Sequence, residues 1–130
     1  MPDAREPRFH DKWRSERVDR EEDAASLFGY YLIKHCREDA IAKIAYPPSS
    51  PEHASGVAAV ENALFGVMEL LGGYRPLDAG GGKRLELSLH VQIEKGGEVV
   101  EDIPVPPEVD FYIGYWSWVE DYGTTPKSVA

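Results

Sequence analysis

The sequence has almost no cysteine: Cys36 stands alone among 130 residues. An intramolecular disulfide is therefore impossible, and a zinc site built on several cysteines is excluded. A lone cysteine fits a reducing compartment. No apolar run occurs in Met1 to Asp23, so no secretory signal is read there. The most apolar helical stretch, Val57 to Leu71, is too short to span a bilayer and carries Glu61, Asn62 and Glu69. Positive charge is also short. Fourteen Lys and Arg face 23 Asp and Glu, a net charge of −9. Such a chain repels phosphate backbones and anionic lipid surfaces, so neither nucleic-acid nor membrane binding is expected. The expected location is the cytoplasm, and proteins or small molecules remain as partners.

What is present is ordinary globular material: 42% apolar and 28% charged residues, enough for a core without staples. The spacing divides it into a charged N-terminal arm over 1–20, a folded domain over 21–122 and a C-terminal tail over 123–130. The first helix is expected over Glu21 to Ala45, opened by Asp19 with Glu22 in capping-box spacing or earlier near Ser15. Its apolar stripe is Ala24, Leu27, Phe28, Tyr31, Leu32 and His35. Ile41 and Ile44 fall out of phase with that stripe, which calls for a bend or break near Glu38–Asp39. Pro47 and Pro48 end the helix.

A second helix starts at a Ser49 or Ser50 cap, with Pro51 in its first turn, and runs to about Leu71 before Gly72-Gly73. Its stripe is Val57, Val60, Leu64, Val67, Met68 and Leu71. Its back is small: Ala58, Ala59, Ala63 and Gly66. The short connector makes the two helices an antiparallel pair.

Arg75 to Lys83 reads as a loop. Alternation from Leu85 to Ile93, against Glu86, Ser88, His90, Gln92 and Glu94, reads as one half-buried strand. Gly96-Gly97 supplies a hairpin turn, and Glu98 to Val105 the return strand. Val109 to Val119 fits either periodicity. Its aromatic and β-branched content, with Gly114, favours a third strand. The fold class expected is thus α+β in two layers, an antiparallel helical pair on an antiparallel sheet of about three strands.

No motif carries a defined chemistry, and no cofactor or metal site is read from the residues. His35 and Asp39, four apart, suggest a carboxylate-oriented base or half a metal pair, against a plain core histidine. Cys36 reads as a small buried hydrophobe more readily than a nucleophile that would need His53 or His90. Glu61 at the stripe edge is a candidate acid or base, against a structural ion pair. Gly80-Gly81-Gly82-Lys83 lacks the spacing and the helix of a phosphate loop.

The candidate binding surface is a polar row of Glu86, His90 and Gln92, joined by Tyr112, Trp116 and Trp118 if the last segment is a strand with those rings outward. The leading expectation is a non-catalytic binding or regulatory module acting through that face, an acidic inhibitor-like protein being one version, with a protein partner. A homodimer through the small back of the second helix (Ala58, Ala59, Gly66) is a further version. The alternatives are a small enzyme or ligand binder with His35 and Glu61 in a pocket between sheet and helices, and a structural subunit of a homo-oligomer.

Overall fold

A computed structural model of the chain describes residues 5–7, 10–73, 77–105 and 111–126, and of Tyr112 and Ile113 the backbone alone. The architecture is α+β. Helix α1 (Arg17–Tyr31) continues through a π-helical segment (Leu32–Arg37) into α2 (Glu38–Ala42). Helix α3 (Pro51–Leu71) follows. Then come two antiparallel hairpins, β1 (Leu77–Gly80) with β2 (Lys83–Leu85) and β3 (Leu89–Lys95) with β4 (Glu98–Val105), and finally helix α4 (Phe111–Tyr122).

The phase slip expected in the first helix is real, but no break relieves it. The Glu38 N–H bonds to the Ile33 carbonyl, five residues back, which widens the turn. Buried positions then recur every four residues as Glu21, Ala25, Gly29, Ile33, Arg37 and Ile41. A regular α-helix would rotate such a series by about 40° per step. The π turn absorbs part of that drift. Consequently Tyr31 and His35, expected on the core stripe, are exposed, while Gly29 and Tyr30 face inward. Cys36, expected to be buried, is exposed too.

Helix α3 begins as its sequence implies. Ser50 Oγ accepts the His53 N–H at 3.1 Å, and Pro51 occupies the first turn. Its buried line is Val57, Glu61 and Met68, with Val67 exposed. Glu61 thus lies at the centre of the inward face rather than at its border.

The expected strand over 85–94 is divided. Leu85 closes β2, residues 86–88 belong to no strand, and β3 starts at Leu89. The expected loop before it is itself a hairpin. Gly81 and Gly82 both have positive φ, as do Gly96 and Gly97 in the second hairpin. Two successive residues of that kind are what a type I′ turn demands, and glycine adopts them without steric cost. The same signal therefore serves twice. β4 carries one extra residue between Glu101 and Val99, opposite Ile93 and Glu94. Ile103 and Val105 of β4 are buried in the core, which β4 joins by packing on α1.

The strand expected over Val109 to Val119 is replaced by a helix, Phe111–Tyr122, with Val109 itself outside the described residues. Phe111, Tyr115, Trp118 and Val119 are buried at i, i+4, i+7 and i+8. Burying each large side chain stabilises by about 1.5–3 kcal/mol, more than the ~0.3–1 kcal/mol at stake when Glu120 and Asp121 oppose the helix dipole. Strand propensity loses to burial. The contact that seats α4 is at Gly29, where a Cβ would lie 2.2 Å from the Trp118 indole. Phe28 and Phe111 meet the same ring edge-on, at 5.9 and 6.4 Å.

Gly29→Ala tests this seat, because helix propensity and packing pull in opposite directions. Propensity alone would stabilise by about 1 kcal/mol. Overpacking against Trp118 should instead give a net loss of about 1–3 kcal/mol, read as a lowered urea midpoint at unchanged m-value. A raised midpoint would contradict the packing.

Candidate functional site

The polar constellation deepest in the structure is centred on Arg37, whose side chain is 0% exposed. A guanidinium has five N–H donors in a planar fork. Here Nε and Nη2 donate to Glu61 Oε1 at 3.2 and 2.7 Å. Nη1 donates to Glu38 Oε1 at 2.7 Å and to the Thr125 carbonyl at 2.8 Å. Nη2 also donates to the Pro126 carbonyl at 3.0 Å. All five donors are used. The π turn aims this side chain inward, and α3 presents Glu61 to it.

Tyr115 stands beside the pair. The buried Tyr115 hydroxyl has no hydrogen-bond partner among the described residues. Burial, and then the Glu61 carboxylate, push its pKa up to about 12. A phenol held neutral to that degree is neither a base nor a nucleophile near neutrality. Glu38 is held ionised below its ordinary range: burial opposes this, but hydrogen bonds from Thr125 and Thr124 and the Arg37 charge prevail. The whole cluster is a set of satisfied structural charges, as the ion-pair reading of Glu61 expects.

A second cluster ties the N-terminal residues to the hairpin. Arg20 donates from Nε to Glu101 Oε1 at 2.5 Å and from Nη2 to Oε2 at 2.8 Å. His10 Nε2 bonds to the same carboxylate. The Arg20 guanidinium also covers the Trp13 ring at 5.7 Å. Arg20 first, then His10, hold Glu101 down at about 2, against the desolvation that burial imposes. Part of the segment expected as an arm is therefore anchored: Trp13 Nε1 donates to the Pro7 carbonyl at 3.1 Å, and Arg14 pairs with Asp23 at 3.0 Å.

The sequence-derived surface is not assembled. Trp118 is 7% exposed in the core, and Trp116 packs on Phe65 of α3 at 5.5 Å. The Tyr112 side chain lies outside the described residues. With the segment helical, no aromatic sheet face forms beside the polar row. His90 and Gln92 do stand exposed on β3, where His90 Nδ1 meets Asp102 Oδ1 across the hairpin at 3.0 Å. Glu86 is exposed but precedes the strand. The pocket reading fares similarly. Glu61 is buried on Arg37, whereas His35 stacks outside on Tyr31 at 5.2 Å. Asp39 is exposed and separated from His35 by the end of the π turn. Among the described residues no group of three or more His, Cys, Asp or Glu converges as a metal-ligand set.

Arg37 escaped sequence reasoning. Its signal was the four-residue ladder Ile33–Arg37–Ile41, a lone cation in line with two apolar residues. Glu38 and the threonines that bind it left no signal.

A further exposed feature is α3. It is 21 residues long, strongly apolar, and buries Val57, Glu61 and Met68. By length and composition it suffices to cross a membrane, contrary to the shorter stretch read from sequence, although Glu61 at its middle is fixed to Arg37. Ala59, Ala63 and Val67 are exposed on its outer side, and a Cβ added at Gly66 would meet nothing within 4 Å. Leu85 and Leu87 are also exposed, at 51% and 45%.

No family model, curated protein or solved structure matches the chain at a significant level.

Glu101 sets a pH dependence. A carboxylate depressed in the folded state stabilises fully above its ordinary value near 4.5, and that stabilisation disappears as pH falls toward 2. Urea midpoints followed from pH 6 to pH 2 should show wild type above Glu101→Gln at pH 6 and the difference shrinking through that window. A gap that stays constant to pH 2 would remove the assigned role.

Proposed function

We propose that this protein is a non-catalytic binding module whose docking face is the outer side of α3, and that the occupant is a second copy of the chain. The observation that carries the reading is the mismatch between composition and burial in α3. The helix is strongly apolar, yet Val57, Glu61 and Met68 are its buried residues. Apolar surface left open in this way favours a contact.

Charge supports a second copy. The chain carries −9, so two copies repel over most of their surfaces. The outer line of α3, running through Ala59, Ala63, Gly66 and Val67, carries no charge, since Glu61 faces inward onto Arg37. Repulsion is weakest there. A two-fold, antiparallel pairing sets the same patch against itself, and the absence of large side chains at 59, 63 and 66 lets the helix axes approach to the short end of the usual 8–10 Å. One helix of this length, about 31 Å, cannot supply the ~1,200 Å² or more of a stable interface unaided. The association is accordingly weak, concentration-dependent, and strengthened by salt that screens the net charge.

The aromatic strand face no longer contributes to this reading, and the catalytic alternative lacks a converged set of groups.

Gly66→Glu is the discriminating variant, because its new side chain enters open space and leaves the monomer intact. Sedimentation velocity across a concentration series from ~10 µM to ~1 mM should show wild type shifting toward dimer, more so at high salt, and Gly66→Glu remaining monomeric. A wild type monomeric throughout, or a dimer indifferent to Gly66→Glu, would refute the α3 face.

A further inference from the structure

We propose that residues 123–126 form a strap that opens as a unit of its own, without unfolding the core behind it. The strap is held by two side chains. Glu38 Oε1 accepts the backbone N–H groups of Thr124 and Thr125 at 2.9 and 3.2 Å, and Oε2 accepts their hydroxyls at 3.3 and 2.7 Å. The Thr125 and Pro126 carbonyls accept from Arg37 at 2.8 and 3.0 Å. None of the four strap residues is buried. The bonds that hold them are polar, and once the strap lifts water takes its place on Glu38 and Arg37. The adjoining α4 is different, anchored by four buried large side chains. Segments with few apolar contacts and exposed hydrogen bonds open at lower free energy than the core.

The closed strap also depends on a tight hinge. Gly123 donates its N–H to the Val119 carbonyl at 2.9 Å. A Cβ at this position would lie 2.5 Å from that oxygen and 3.2 Å from Glu38 Oε1. Any side chain here pushes the strap off its carboxylate. Opening has a defined consequence. The strap forms one wall of a groove of about 690 Å³, shared with Glu38, Asp39, Tyr46 and His53. Lifting it widens the groove and brings the Nη1 and Nη2 groups of Arg37 within reach of solvent, so the strap gates a site that is otherwise sealed.

Residue-resolved amide hydrogen exchange on the full chain tests this. In wild type, the Thr124 and Thr125 amides should exchange at least tenfold faster than those of Ile33 and Tyr115. Thr125→Val, which keeps every backbone bond, and Gly123→Ala should each accelerate the two strap amides a further fivefold or more and leave Ile33 and Tyr115 unchanged. Strap amides as slow as the core in wild type would overturn the proposal. So would variants that leave the strap unmoved or accelerate strap and core together.

Discussion

A fully buried guanidinium is the constraint around which the other parts are arranged. Removing Arg37 from water is costly, and with the strap closed every one of its donors is satisfied. The five bonds end on four acceptor atoms from three places in the chain: Glu38 at its side, Glu61 on α3, which takes two of them, and the carbonyls of residues 125 and 126 beyond α4. Each offsets part of the cost of burying the charge, the two carbonyls only while the strap is closed. The π turn belongs to the same requirement. An unbroken α-helix carrying the same ladder of inward positions would have rotated away from α3. Extra-residue turns of this type are often found where a helix must aim one particular side chain.

The second constraint is steric. Gly29 opens a slot in α1 that the Trp118 ring fills, and Phe28 and Phe111 close around it. Much of this was hidden in the sequence for a physical reason. Aromatic and β-branched residues report a surface that wants cover, not the periodicity with which it will be covered. Phe111, Tyr115 and Val119 lie on one face of either a strand or a helix, so composition pointed one way and tertiary burial decided the other. The inward turn of Gly29 was invisible for the opposite reason, since a glycine contributes nothing to an apolar stripe. What could be read was written locally. Ser50 capping α3, Gly96-Gly97 turning the second hairpin and Glu98–Val105 returning it all follow from chemistry within a few residues. The slip of phase in the first helix was also readable, though its resolution by a wider turn was not. Arg37 and Glu61 meet across 24 residues, and no local pattern announces such a pairing.

These two constraints shape the functional reading. The titratable groups that drew notice in the sequence are scattered: His35 and Cys36 face outward, Glu61 is locked in an ion pair, and His90 stands on the exposed hairpin. No reacting centre is assembled from them. The outer line of α3 from Ala59 to Val67 is the proposed match for association, because it is an uncharged stretch of an acidic chain. Burying Glu61 inward keeps that side neutral, so the interior ion pair and the proposed contact surface are two faces of one helix.

The account's central claim is that Arg37 and Glu61 act as one unit, and a double-mutant cycle measures this directly. Arg37→Met and Glu61→Met should each cost about 3–5 kcal/mol in urea unfolding, because the first leaves the Glu61 carboxylate buried without the guanidinium and the second leaves the Nε and one Nη2 donor of Arg37 without their acceptor. The double variant should cost less than the sum by at least ~2 kcal/mol. Single losses that add to within ~0.5 kcal/mol would show that the two residues stabilise the fold independently, and would contradict the claim.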